Sequence, residues 1–152
     1  MPIKKGSEKR ISSTSKEAKG IIRAEIRAHY SPSFKGEGRS ALANMKRAAD
    51  QYNGGQLSKY RLSDYRKGAA LVDAGAFEIA EQDRMLGKIY GKKNVASWDM
   101  EKRHETYKHL IGREYDSMLR ESEKKKEEQR RKKAAEQAKK VAAKAKKKTT
   151  KR

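Results

Sequence analysis

Apolar side chains return every three or four positions from about residue 13 to residue 119, and then the pattern stops. Its clearest stretch is residues 97–119, where Met100, His104, Tyr107, Ile111, Tyr115 and Met118 recur at helical spacing and Leu110 and Leu119 widen the face. Such a stripe predicts a helix packed on a core. Ser97 reads as its N-cap, and Asp99 and Glu101 place negative charge near the positive end of the helix dipole. Gly112 interrupts the stripe at a cost of about 1 kcal/mol relative to alanine, tolerable where tertiary packing holds the helix. From Arg120 to Lys133 no hydrophobic residue occurs. Helix can continue there, because Glu121 and Lys125, Glu127 and Arg131, Glu128 and Lys132, and Glu136 and Lys140 are Glu-first pairs four residues apart. Each is worth about 0.3 kcal/mol on an isolated helix, which predicts a solvated rod or a fraying coil.

Upstream, Thr14 and Glu17 fit a capping box opening a helix with Ala18, Ile21, Ile22, Ile26 and Tyr30 on one face, closed by Ser31-Pro32. Ser40 opens a second helix carrying Leu42, Met45, Ala49 and Tyr52, with Asn53-Gly54-Gly55 as its expected stop. A short helical turn is expected over residues 56–62, and Ser63 caps a third helix bearing Leu62, Tyr65, Ala69, Val72 and Ala76. Phe77, Ala80, Met85, Leu86, Ile89 and Tyr90 extend the face, in the same helix or beyond a kink near Gly75, and Gly91 to Asn94 close it.

No stretch alternates apolar and polar residues long enough for a strand. The expected fold class is all-α: a compact bundle of four or five helices whose long C-terminal helix runs into a basic, partly disordered tail. The organisation read from this pattern is a flexible basic arm over residues 1–12, a helical domain over 13–119 and a charged, then Lys/Ala-rich, tail over 120–152.

Charge sharpens that division. Of a formal net charge of +20, the segment from Arg120 onward holds sixteen basic and five acidic residues, and residues 21–119 hold eighteen and thirteen. A hydrophobic content of 34% is low for a globular chain, and the shortage is concentrated in the tail. The chain has no cysteine, which excludes disulfides and thiolate metal sites. It has neither the apolar core of a secretory signal nor a run long enough to span a membrane. The expected location is intracellular: cytoplasm or nucleoid, or nucleus if the source is eukaryotic.

Candidate chemistry is sparse. His104 and His109 suggest the HExxH zinc pattern but are five residues apart, about 140° around a helix, so they cannot share one ion. Gly36, Gly38, Arg39 and Ser40 open a helix without the strand or the Lys-Ser/Thr pair that a dinucleotide or P-loop site requires, so they read as a loop and cap. Asp64 with Asp73, and Glu78 with Glu81, read as solvated faces. With no set of nucleophile, base and orienting group, the expectation is a protein that is not an enzyme and takes no cofactor or metal.

Basic residues interleaved with aromatics carry more. Lys59, Tyr60, Arg61, Arg66 and Lys67 fall within nine residues, and Lys92 and Lys93 follow Tyr90. Such groups combine phosphate neutralisation with stacking in nucleic-acid binders. In the tail, Arg130, Arg131, Lys132, Lys133, Lys139, Lys140, Lys144, Lys146, Lys147 and Lys148 complete the candidate contact set. Ala134, Ala138, Val141 and Ala145 form a weak stripe that predicts helix once those lysines are neutralised. In composition these last twenty or so residues resemble the tails of linker histones and of bacterial histone-like nucleoid proteins, a likeness that implies polyanion binding and nothing about the core.

The expectation is therefore a protein that binds DNA or RNA mainly through the phosphate backbone. The alternative is a helical structural or adaptor protein, an assembly component with a protein partner, whose tail only docks on an acidic surface. Membrane binding is not expected, because the tail has no Trp, Phe or Leu to bury.

Overall fold

The computed structural model describes residues 10–32, 40–55 and 62–150, with the backbone alone for 53–55 and 146–150. Among the described residues there are six helices and no strand: α1 Lys16–His29, α2 Ala41–Gly55, α3 Asp64–Asp73, α4 Ile79–Tyr90, α5 Lys92–Ala96 and α6 Met100–Thr150. The protein is all-α with a long C-terminal helix. The chain divides into two compact units, Met1–Met118 and Leu119–Arg152. No described helix is long and apolar enough to cross a membrane.

Side-chain caps set most helix starts. The Ser15 hydroxyl accepts from the Ala18 N–H at 3.1 Å, Ser40 from Ala43 at 3.2 Å and Ser63 from Arg66 at 3.3 Å. The cap of α1 is thus Ser15 and not Thr14, whose hydroxyl lies 2.9 Å from that of Ser12. At α6 the cap moves in the same direction, from Ser97 to Asp99. Asp99 Oδ1 accepts from the Lys102 N–H at 2.8 Å, while Ser97 ends α5 and donates its hydroxyl to the Asn94 carbonyl at 2.6 Å. Gly91 to Asn94, expected to close the preceding helix, do so and lead into that short helix α5, entered through Gly91 at φ 90°.

Two expected breaks coincide with helix ends. Between α3 and α4 the chain turns at Gly75, whose φ of 84° suits a residue without a Cβ. Helix α2 includes Asn53 and Gly54 and ends at Gly55, the last residue of the expected stop. Residues 56–61 of the turn expected over 56–62 lie outside the described residues, as do residues 33–39 and residues 1–9 of the expected arm. The start of the described chain is tied to the domain, with the Ile11 N–H donating to the Ile89 carbonyl at 3.0 Å.

In the first unit α1 packs on α2 and α4, α2 on α3, and α4 on α5. The core draws on all the long helices. Ile22 and Ile26, Met45 and Ala49, Met85, Leu86 and Ile89, and Tyr107, Leu110, Ile111 and Tyr115 are fully buried. Phe77 joins the helices by lying against His29, Tyr30 and Tyr107, at ring-centroid separations of 4.5, 6.0 and 5.6 Å. Two amides satisfy carbonyls in this core: Asn44 Nδ2 donates to Tyr30 O at 3.0 Å and Gln82 Nε2 to Phe77 O at 3.1 Å. Met100 departs from its expected place on the stripe. It is 54% exposed, because the first turn of α6 begins before the core does.

One buried charge has no counterpart in the apolar pattern. Glu114 of α6 is 1% exposed and holds two guanidiniums, Arg23 Nε on Oε1 and Arg113 Nε on Oε2, each at 2.9 Å. Arg23 donates further to the Ser117 hydroxyl at 3.0 Å, and Arg113 to the Ser13 carbonyl at 2.6 Å. A carboxylate this deep is stable only because both oxygens are satisfied by charged donors. The cluster thereby fixes α1 and the residues before it against one face of α6.

Candidate nucleic-acid interface

The basic residues expected from sequence fall into separate groups. On α3, Arg66 is exposed, but Lys67 Nζ lies 3.2 Å from Asp50 Oδ1 of α2, so its charge is already paired within the fold. Lys92 and Lys93 are exposed at the start of α5. These pairs belong to different helix pairings, α2 with α3 and α4 with α5. Lys59, Tyr60 and Arg61 lie outside the described residues.

Near α5 the interleaving of aromatic and basic groups is physical. Tyr90 and Trp98 are both half-buried with ring centroids 5.1 Å apart, and Lys102 Nζ sits 4.7 Å above the Trp98 ring. Arg103 is held inward. It donates to the Trp98 and Ala96 carbonyls at 3.1 Å and pairs with Asp83 at 3.3 Å.

Sequence reading missed the cleft beside this group. Arg84, Lys88 and Lys92 line a cavity of about 690 Å³ whose other lining residues include Ala80, Gly87, Val95 and Ala96. The three cations stand four residues apart in sequence, which is a readable signal. What hides it is the break at Gly91, which places Lys92 on another helix. Arg84 and Lys88 act on Glu25 of α1, whose carboxyl is raised by burial and by Glu81 and drawn back down by these two cations.

The histidines are employed structurally. His104 Nε2 donates to Asp73 Oδ1 at 2.8 Å, and Lys108 donates to the other oxygen of Asp73 at 3.2 Å. Desolvation raises the Asp73 carboxyl, but those hydrogen bonds and charges outweigh it and hold the group below its usual range. His109 Nδ1 lies 2.7 Å from the Tyr65 hydroxyl. Among the described residues no three His, Cys, Asp or Glu side chains are placed to hold a metal ion. Burial raises the hydroxyls of Tyr107 and Tyr115 well above the tyrosine range and pushes that of Tyr30 up to about 12, so these are core phenols.

In the second unit every described basic side chain from Arg120 to Lys144 is exposed. Arg130, Arg131, Lys132, Lys133, Lys139, Lys140 and Lys144 are thus all on the helix surface, whereas the side chains of Lys146, Lys147 and Lys148 lie outside the described residues. Glu127 reaches Arg131 at 3.5 Å and Arg130 at 3.7 Å, both long for ion pairs. Against known proteins, the chain matches no family model and has no significant match among curated proteins or solved structures.

Proposed function

We propose that this protein binds DNA or RNA chiefly through the phosphate backbone, with the basic helical segment after Leu119 as the main contact and the helical domain as the body it serves. The observation that carries this reading is the excess of exposed cations over acids on that segment, eleven against five among the described side chains. A helix so charged gains little from its own ion pairs, and a polyanion supplies what it lacks: each phosphate it neutralises releases condensed counterions. Exposed lysines on a regular helix meet phosphates rather than base edges, so this mode needs no sequence readout.

The test is binding of the full chain to duplex DNA and to structured RNA at physiological salt, with heparin as the unrelated polyanion. Tighter binding to one of the nucleic acids than to heparin supports the reading. Equal or weaker binding overturns it and favours the adaptor reading, which draws on Ile79 and Met100, 57% and 54% exposed beside a shallow cavity of about 330 Å³.

A further inference from the structure

We infer that the cleft between α4, α5 and the first turn of α6 is a binding site for a nucleoside phosphate, its phosphates on Arg84, Lys88 and Lys92 and its base on the aliphatic floor. Four cations and a single carboxylate line this cavity. The carboxylate, Asp83, is spent on Arg103, which is anchored besides to the Ala96 carbonyl at the end of α5 and the Trp98 carbonyl after it. The remaining three cations have no hydrogen-bonded acid among the described residues, and all three are exposed, so they can turn toward a ligand without unpacking the fold.

The floor decides the kind of anion. Gly87 and Ala96 present small apolar surfaces with the buried Val95 beside them, and the atom nearest to a Cβ on Gly87 would be the Lys92 Cα, at 3.7 Å. Solvated lysines do not need an apolar floor, and inorganic phosphate gains nothing from one. A molecule that joins two or more negative charges to a flat, weakly polar ring uses both walls. A cavity of about 690 Å³ falls in the range of small-molecule sites, which are mostly apolar with a few placed polar groups. Glu25 tempers the site, since its carboxylate interacts with Arg84 and Lys88.

This chemistry has two sources, a free nucleotide or the phosphorylated end of a strand. It does not depend on the basic segment after Leu119, because every lining residue lies in the first unit.

Calorimetric titration of the full chain in about 150 mM salt, where charges far apart are screened, tests the site. ADP should bind more tightly than pyrophosphate or adenosine, its two halves. The double replacement Arg84→Ala, Lys88→Ala should weaken ADP at least ten-fold, whereas Lys139→Ala, Lys140→Ala should leave it unchanged. Glu25→Gln should tighten ADP, a gain that misfolding cannot imitate. ADP binding no tighter than pyrophosphate, or equally sensitive to the tail pair, overturns the inference. A 5′-phosphorylated trinucleotide that outbinds its 5′-hydroxyl form through Arg84 and Lys88 identifies a strand end as the source; a response to ADP alone identifies the free nucleotide. Duplex affinity of the same variants keeps this result separate from the fate of the backbone-binding reading.

Discussion

Gly68 of α3 and Gly112 of α6 meet where their helices cross: a Cβ on Gly68 would lie 3.1 Å from the Gly112 Cα. On the other side, a Cβ on Gly112 would stand 2.6 Å from the Tyr65 carbonyl oxygen, closer than packed atoms allow. Two residues that weaken their own helices therefore permit backbone-to-backbone packing that no other residue would.

Gly112→Ala should accordingly destabilise the protein by about 1–3 kcal/mol, the usual cost of overpacking a rigid site. Gly20→Ala is the control. Gly20 lies inside α1 with nothing within 4 Å of its would-be Cβ, so alanine should stabilise by about 0.5–1 kcal/mol. Chemical denaturation of both variants checks the opposite signs.

Ile111→Ala should cost about 2–5 kcal/mol, as large-to-small changes in packed cores do. Ile111 is fully buried, whereas Met100, on the same sequence stripe, is more than half exposed. Met100→Ala should stay within about 0.5 kcal/mol of the parent. A cost at Met100 comparable to that at Ile111 would mean that its first-turn position is packed after all.

Glu114→Ala should be among the most damaging single changes, at about 3–5 kcal/mol, because it leaves the partly buried guanidiniums of Arg23 and Arg113 without their common anion. Urea denaturation measures it. A loss below about 1 kcal/mol would show that the two arginines reach solvent when the carboxylate is gone.

What the sequence discloses depends on whether the information is local. The helical period alone identifies Ile22, Ile26, Tyr107, Ile111 and Tyr115 as core, since each lies where a 3.6-residue repeat meets a neighbouring helix. Ser97 misleads because a serine before an apolar run looks alike whether it opens one helix or closes another. Met100 keeps the right spacing but sits beyond the end of the surface it would have to meet. Glu114 is invisible in principle: Arg23, one of the two cations that make its burial possible, is 91 residues away in sequence. The cleft of Arg84, Lys88 and Lys92 lies between these cases, since its spacing is readable but Val95 and Ala96 of its floor come from α5, a helix the loop-like sequence Gly91-Lys92-Lys93-Asn94 conceals.

Glu25→Gln should raise the melting temperature near pH 7 and lose that advantage as the solution is acidified. Burial and Glu81 raise the folded-state pKa of Glu25 above its unfolded value, against the pull of Arg84 and Lys88. A raised carboxyl contributes stability that is fully present below its unfolded pKa and lost as pH rises through its folded pKa. Glutamine, neutral throughout, has no such loss. Melting curves of both chains from pH 4 to pH 7 should therefore converge at the acid end, and a constant difference would mean that the effect is steric.

Binding slopes against salt separate the basic helical segment from the folded domain. Replacing Arg130, Arg131, Lys132 and Lys133 by glutamine keeps good helix formers in place, so far-UV dichroism should not change. It takes away up to four cations that can neutralise phosphates. The slope of log affinity for duplex DNA against log salt should become shallower by about 0.9 for every phosphate no longer neutralised. Replacing Arg66 and Lys67 by alanine should change the slope by less than that amount per residue, because Lys67 is already neutralised by Asp50 at 3.2 Å. Fluorescence anisotropy across a salt series measures both. If the α3 pair moves the slope as much as the four tail cations do, the main nucleic-acid surface lies on the folded domain, and the charge of the segment after Leu119 serves something other than the phosphate backbone.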